Sequence, residues 1–148
     1  MVNIQGMCMR KGEPTAGLDF YKLLCSDDEF CKELGRAVLA AGRLESGLKR
    51  FLDRHAAEAE TAKATLGRLI GFAEQRNLLT KLVPALKTLR DQRNCLTHNI
   101  HALFSGLIEE TILEGDGLLD SDVDLFTERA SQLKTNLDGL AGILEKNA

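Results

Sequence analysis

The chain has 148 residues, 44% of them hydrophobic and 28% charged, with a formal net charge of −3. That balance excludes a disordered chain, and no apolar run approaches a membrane span. The acidic balance, with a pI near 5.6, also argues against a broad nucleic-acid footprint, because surfaces that bind phosphate backbones are usually basic.

Trp is absent and Tyr and Phe are few, whereas Leu and Ala are plentiful, which favours helix over strand. The first residues, Met1-Val-Asn-Ile-Gln-Gly-Met-Cys-Met-Arg-Lys11, contain no apolar signal core, so a cytoplasmic location is expected. Cys8, Cys25, Cys31 and Cys95 form no C-x-x-C pair, and free thiols are the expected state.

In chain order, residues 1–25 read as a lead-in. Gly6, Gly12, Pro14 and Gly17 mark its loose part, and Leu18–Leu24 a short helix or turn packed on the core. Ser26 is the expected N-cap of the first long helix, with Asp27, Asp28 and Glu29 at its positive end. Phe30, Leu34, Val38, Ala41, Leu44, Leu48 and Phe51 recur every three or four residues, predicting one amphipathic helix that ends near His55. A second helix is predicted from about Glu60 to Glu74 on Leu66, Leu69, Ile70 and Ala73. Asn77 is a candidate cap for the third. The stripe of that third helix runs through Leu79, Leu82, Leu86, Leu89, Leu96, Ile100 and Leu103. Pro84 implies that it either starts there or is kinked there.

Residues 105–120 hold three glycines and little periodicity, and are expected to be a long connection. Ser121 is the expected cap of a last helix whose seam, Phe126, Ala130, Leu133, Leu137, Leu140 and Leu144, alternates in heptad fashion. Residues 26–148 are thus expected to form an all-α, four-helix bundle.

The segment that carries chemistry is Thr88-Leu-Arg-Asp-Gln-Arg-Asn-Cys-Leu-Thr-His-Asn-Ile-His101. Arg93 offers a planar fork of donors suited to phosphate oxygens, and His98 titrates near neutrality, as a general acid or base must. At about 100° per residue the two side chains leave an ideal helix about 140° apart. Two copies meeting across a two-fold axis could bring both pairs into one cleft, so a homodimer is expected. Asn94 lies four residues before His98 and can orient its ring, and Arg90, one turn earlier on that face, can supply a second phosphate contact.

This pattern, Arg93-Asn94-Cys95-Leu96-Thr97-His98, resembles the HEPN superfamily (higher eukaryote and prokaryote nucleotide-binding domain), and the likeness extends over roughly residues 26–147. The resemblance implies a small, commonly dimeric helical bundle, and often a metal-independent ribonuclease acting as a toxin or defence effector. It implies no cofactor, catalytic roles for Arg93, Asn94 and His98, an RNA substrate attacked through its own 2′-hydroxyl, and an antitoxin or regulatory protein as a partner. Other members have lost catalysis and serve as binding modules for a nucleotide or a protein, which is the competing expectation.

Other candidates are weaker. Cys95, His98 and His101 are ligand types at three-residue steps that fan them around a helix, without a carboxylate to complete a site. Asp120, Asp122 and Asp124 follow a calcium-loop spacing, but Leu125 and Ser131 replace the Gly and Glu such a loop needs. His55 reads as a cation at a helix C-terminus. Glu45 beside Leu44 and Leu48 either pairs with an arginine of the motif helix or sits at the edge of its stripe, the second being slightly favoured.

Overall fold

The structure is a computed structural model that describes residues 17–105 and 122–147. For Gly17, Leu18, Cys95, residues 97–105, Asp122 and Asn147 the description is of helical backbone alone. The lead-in before Gly17, the expected 105–120 connection beyond Ser105, which is still helical, and the Ser121 cap lie outside the described residues. Among those described there are five helices and no strand: α1 (Gly17–Ser26), α2 (Asp28–His55), α3 (Leu66–Gln75), α4 (Val83–Ser105) and α5 (Asp122–Asn147). The all-α expectation is met. The count exceeds four because Leu18–Leu24 is part of a true helix, α1.

The break between α1 and α2 falls one residue later than expected. Asp27, not Ser26, is the cap: its Oδ1 accepts from the backbone N–H of Phe30 at 2.7 Å. The Ser26 hydroxyl instead donates back to the carbonyl of Leu23 at 3.2 Å. A carboxylate at this position satisfies an orphan N–H and also meets the positive end of the helix.

α2 ends at His55, as its periodicity predicts. Its buried face is rotated from the expected stripe. Ala37, Ala40, Ala41, Leu44, Leu48, Phe51 and Leu52 are buried, whereas Val38 is 64% and Leu39 75% exposed. The alanines at 37 and 40 carry the inward face in place of Val38.

α3 starts at Leu66, later than expected, because Thr65 caps it by accepting from Arg68 N–H at 3.3 Å. The turns before it are tied to α2 by the buried Thr61, whose hydroxyl donates to Asp53 Oδ1 at 2.8 Å. Asn77 ends α3 instead of capping α4. It adopts left-handed backbone (φ 55), its N–H bonds to Glu74 O at 3.1 Å and the N–H of Leu78 to Ala73 O at 2.8 Å. That is the paired C-terminal closure that favours Gly or Asn at this position. Leu79 is also left-handed (φ 54), a conformation that costs a bulky side chain about 1–2 kcal/mol. Leu79 and Leu82 therefore precede α4 and are not part of its stripe. α4 begins at Val83, so Pro84 occupies its first turn, where a missing N–H breaks no helical bond.

The described residues form two compact units. One holds residues up to Gly35 and those between Asn94 and Gln132; the other holds Arg36–Arg93 and Leu133 onward. The first is organised around aromatic rings. Phe126 meets Phe20 edge-on at a centroid distance of 5.4 Å and Phe30 at 6.2 Å, with Leu24, Leu96, Val123 and Ala130 also buried. Edge-to-face packing at these distances adds to simple area burial.

The second unit buries Leu44, Leu48 and Leu52 of α2, Leu66, Leu69, Ile70 and Ala73 of α3, Leu86 and Leu89 of α4, and Leu133, Leu137 and Leu144 of α5. Outside this core Arg43 clamps α5. Its Nε and Nη2 donate to the two oxygens of Glu145 at 2.9 and 2.7 Å, and its Nη1 donates to Asp138 at 3.0 Å. The hydrogen bonds from Arg43 hold the Glu145 carboxyl below its ordinary range. The stabilisation is present at neutral pH and is lost as pH falls through that lowered value. No described helix is long and apolar enough to cross a membrane.

The rotation of α2 yields a direct test. Leu44→Ala removes a fully buried side chain and should cost about 2–5 kcal/mol, whereas Leu39→Ala should change stability by less than about 0.5 kcal/mol. Denaturant unfolding of the two variants measures both, and comparable losses would contradict the assigned inward face.

Candidate functional site

α4 runs unbroken through Arg90, Arg93, Asn94 and His98, so all four residues lie on one helix, as the spacing predicts. Arg90 and Arg93 belong to the second compact unit, and Asn94 and His98 to the first. The side chain of His98 is outside the described residues, as are those of Cys95 and His101 and hence the metal triad they would form. Asp120 and Ser121 are outside them too, and Asp122 is described as helical backbone alone. Among the described residues no group of His, Cys, Asp or Glu is arranged to hold a metal ion.

Arg93 is the best defined of the four. Its Nη1 donates to Glu45 Oε2 at 3.1 Å, and the two side chains are 30% and 28% exposed. The arginine is thus drawn against α2 and not extended into water. Of the two expectations for Glu45, pairing with the motif helix is the one observed. The physical reason is that Glu45 sits at the rim of the buried face of α2, between Leu44 and Leu48, where a carboxylate gains most from a cation on a neighbouring helix. Partial exclusion of water strengthens such a contact relative to a surface pair.

Arg90 is held differently. Its Nε and Nη2 both reach Asp91 Oδ1 at 2.9 Å. Its stem crosses Gly67 of α3 so closely that a Cβ there would stand 3.3 Å from Arg90 Cδ. A substrate phosphate at Arg90 would have to compete with Asp91. That contact was not expected from the sequence, because neighbouring residues on a helix do not usually face one another. Asn94 is exposed.

The described surface carries further ion pairs. Lys87 donates to Glu74 at 2.7 Å. Arg76 binds Glu58 at 2.6 Å, holding the Glu58 carboxyl below its ordinary range, and lies with Arg68 near the Phe72 ring. These pairs leave the described surface of mixed sign, in keeping with the acidic balance of the chain. His55 ends α2 as expected, its ring 4.3 Å from that of Phe51.

No protein-family model, curated protein or solved structure matches this chain.

The Arg93–Glu45 contact is measurable by itself. A double-mutant cycle with Arg93→Ala and Glu45→Ala should give a coupling free energy of about 0.5–1 kcal/mol, at the upper end for partly exposed pairs. The coupling should shrink when salt is raised. Coupling indistinguishable from zero at low salt would mean that Glu45 does not hold the arginine.

Proposed function

We propose that this chain is a HEPN-like helical bundle acting as a metal-independent endoribonuclease, with Arg93, Asn94 and His98 from two copies forming its catalytic cleft. The observation that carries the reading is Arg93: an arginine fixed by Glu45 at the rim of the core, on the helix that also bears Asn94 and His98. A cation whose position is set before substrate arrives stabilises charge developing on a phosphate without reorganisation at the moment of reaction.

In this mechanism His98 removes the proton of a ribose 2′-hydroxyl or protonates the departing 5′-oxygen. The 2′-oxygen attacks the adjacent phosphorus as the bond to the 5′-oxygen breaks. Arg93 neutralises charge on the non-bridging oxygens, Asn94 orients the His98 ring, and Arg90 adds a second phosphate contact when released from Asp91. The nucleophile belongs to the substrate, which restricts the reaction to RNA. A toxin or defence role regulated by a protein partner fits a nuclease of this kind in a cytoplasmic setting.

The same ion pair favours a second reading. A carboxylate already engaging Arg93, together with a net charge of −3, suits a non-catalytic module that binds a nucleotide or a protein partner.

Cleavage assays on several structured and unstructured RNAs separate the two readings. His98→Ala and Arg93→Ala should each lower the rate by about 10²–10⁴-fold, Asn94→Ala by less, and a chelator should leave the wild-type rate unchanged. Circular dichroism establishes that each variant is folded. Equal cleavage by wild type and His98→Ala, or no cleavage by folded, dimeric wild type, assigns the chain to the binding class.

Light scattering at micromolar concentration tests the assembly that the cleft requires. A dimer is expected, and a monomer would remove the composite site.

A further inference from the structure

Two thiols stand on either side of the break between α1 and α2. Cys25 is the penultimate residue of α1, and Cys31 lies in the first turn of α2, just past the Asp27 cap. Both are free and exposed. The cap turns the chain so that the Cys31 Sγ comes back over the end of α1. There it donates to the carbonyl of Leu24 at 3.4 Å and to the carbonyl of Cys25 itself at 3.5 Å. The Cys31 sulfur thus stands over the helix end that carries Cys25, while the Cys25 thiol lies against the Tyr21 side chain one turn back, so closing a disulfide asks for rotation of Cys25 about χ1 away from Tyr21 and a Cβ separation of about 3.5–4.5 Å.

We propose that Cys25 and Cys31 form an oxidation site for peroxide-class oxidants, closing to an intramolecular disulfide that staples α1 to the first turn of α2. The chemistry balances in two steps. The Cys25 thiolate attacks one peroxide oxygen, forming an S–O bond and expelling hydroxide, which gives a sulfenic acid. The Cys31 sulfur then attacks the Cys25 sulfur. The S–S bond forms, the S–O bond breaks, and water leaves with the thiol proton of Cys31. One peroxide is reduced and two thiols are oxidised.

The surroundings divide the roles. Partial burial, with Cys25, Asp27 and Asp28 nearby, raises the Cys31 thiol above its ordinary value and disfavours its thiolate. Cys31, whose sulfur also donates to the carbonyls of Leu24 and Cys25, therefore serves as the resolving thiol, and Cys25 meets the oxidant first.

Trypsin places the test within one peptide, since Leu23–Lys32 follows Lys22 and contains both cysteines. The full-length chain is treated with hydrogen peroxide under native conditions and in urea, residual thiols are alkylated, and the digest is weighed. From the folded chain this peptide should appear unalkylated and lighter by two hydrogens, in clearly greater yield than from the unfolded chain. Cys31→Ser should trap Cys25 as a sulfenic acid that a dimedone probe captures, and Cys25→Ser should leave Cys31 largely alkylatable. Alkylation of both thiols after treatment, disulfides to Cys8, Cys95 or a second chain in place of the internal one, or equal yields with and without urea would each overturn the proposal.

Discussion

The ion pair between Arg93 and Glu45 is the contact on which the functional account rests. An arginine on the exposed face of a helix samples many rotamers, and ordering it on a substrate costs conformational entropy. Here the neighbouring helix α2 holds the guanidinium at 3.1 Å from a carboxylate that is itself confined beside Leu44 and Leu48. The cation is positioned by the fold before any ligand arrives. A phosphate bound there would have to share Arg93 with Glu45, so the contact that would prepare the proposed site also weakens its net positive charge.

That contact depends on how α2 is turned. The inward face follows small residues, Ala37, Ala40 and Ala41, before it reaches Leu44, Leu48 and Leu52. Val38 and Leu39 point to solvent, and Glu45 falls at the margin of the buried stripe. Had the stripe followed Val38, Glu45 would lie elsewhere relative to the core. The leucine seam of α5 and the Arg43 clamp to Asp138 and Glu145 fix the other side of α2 within the same unit.

Much of this was legible in the residues. The seam Phe126, Ala130, Leu133, Leu137, Leu140 and Leu144 is buried throughout, because a strict three-four alternation of apolar side chains has one reading. The end of α2 at His55 and the start of α4 beside Pro84 were also within reach of simple rules. What escaped were matters of local competition. Asn77 suits both a cap and a C-terminal closure, and the backbone bonds to Ala73 and Glu74 decide for the second. Asp27 outcompetes Ser26 as a cap by offering a charged acceptor. Alanines compete weakly with a valine in any hydrophobic count, yet it is Ala37, Ala40 and Ala41 that are buried. At the site, spacing alone placed Arg90, Arg93, Asn94 and His98 on one helix. It could not choose between two positions for Glu45, nor foresee that Asp91 engages Arg90, because both outcomes depend on side-chain geometry and not on periodicity.

In the proposed reaction the substrate's own 2′-hydroxyl is the nucleophile and Arg93 and His98 serve it. The most direct measurement is the chemistry of the RNA ends that the purified wild-type chain leaves behind. Labelled RNA would be cleaved, and the upstream fragments probed with a phosphatase before and after mild acid opening of cyclic esters. The account predicts 2′,3′-cyclic phosphate on the upstream fragment and a free 5′-hydroxyl on the downstream one. A 3′-hydroxyl paired with a 5′-phosphate would show that water attacked instead, and would contradict the account.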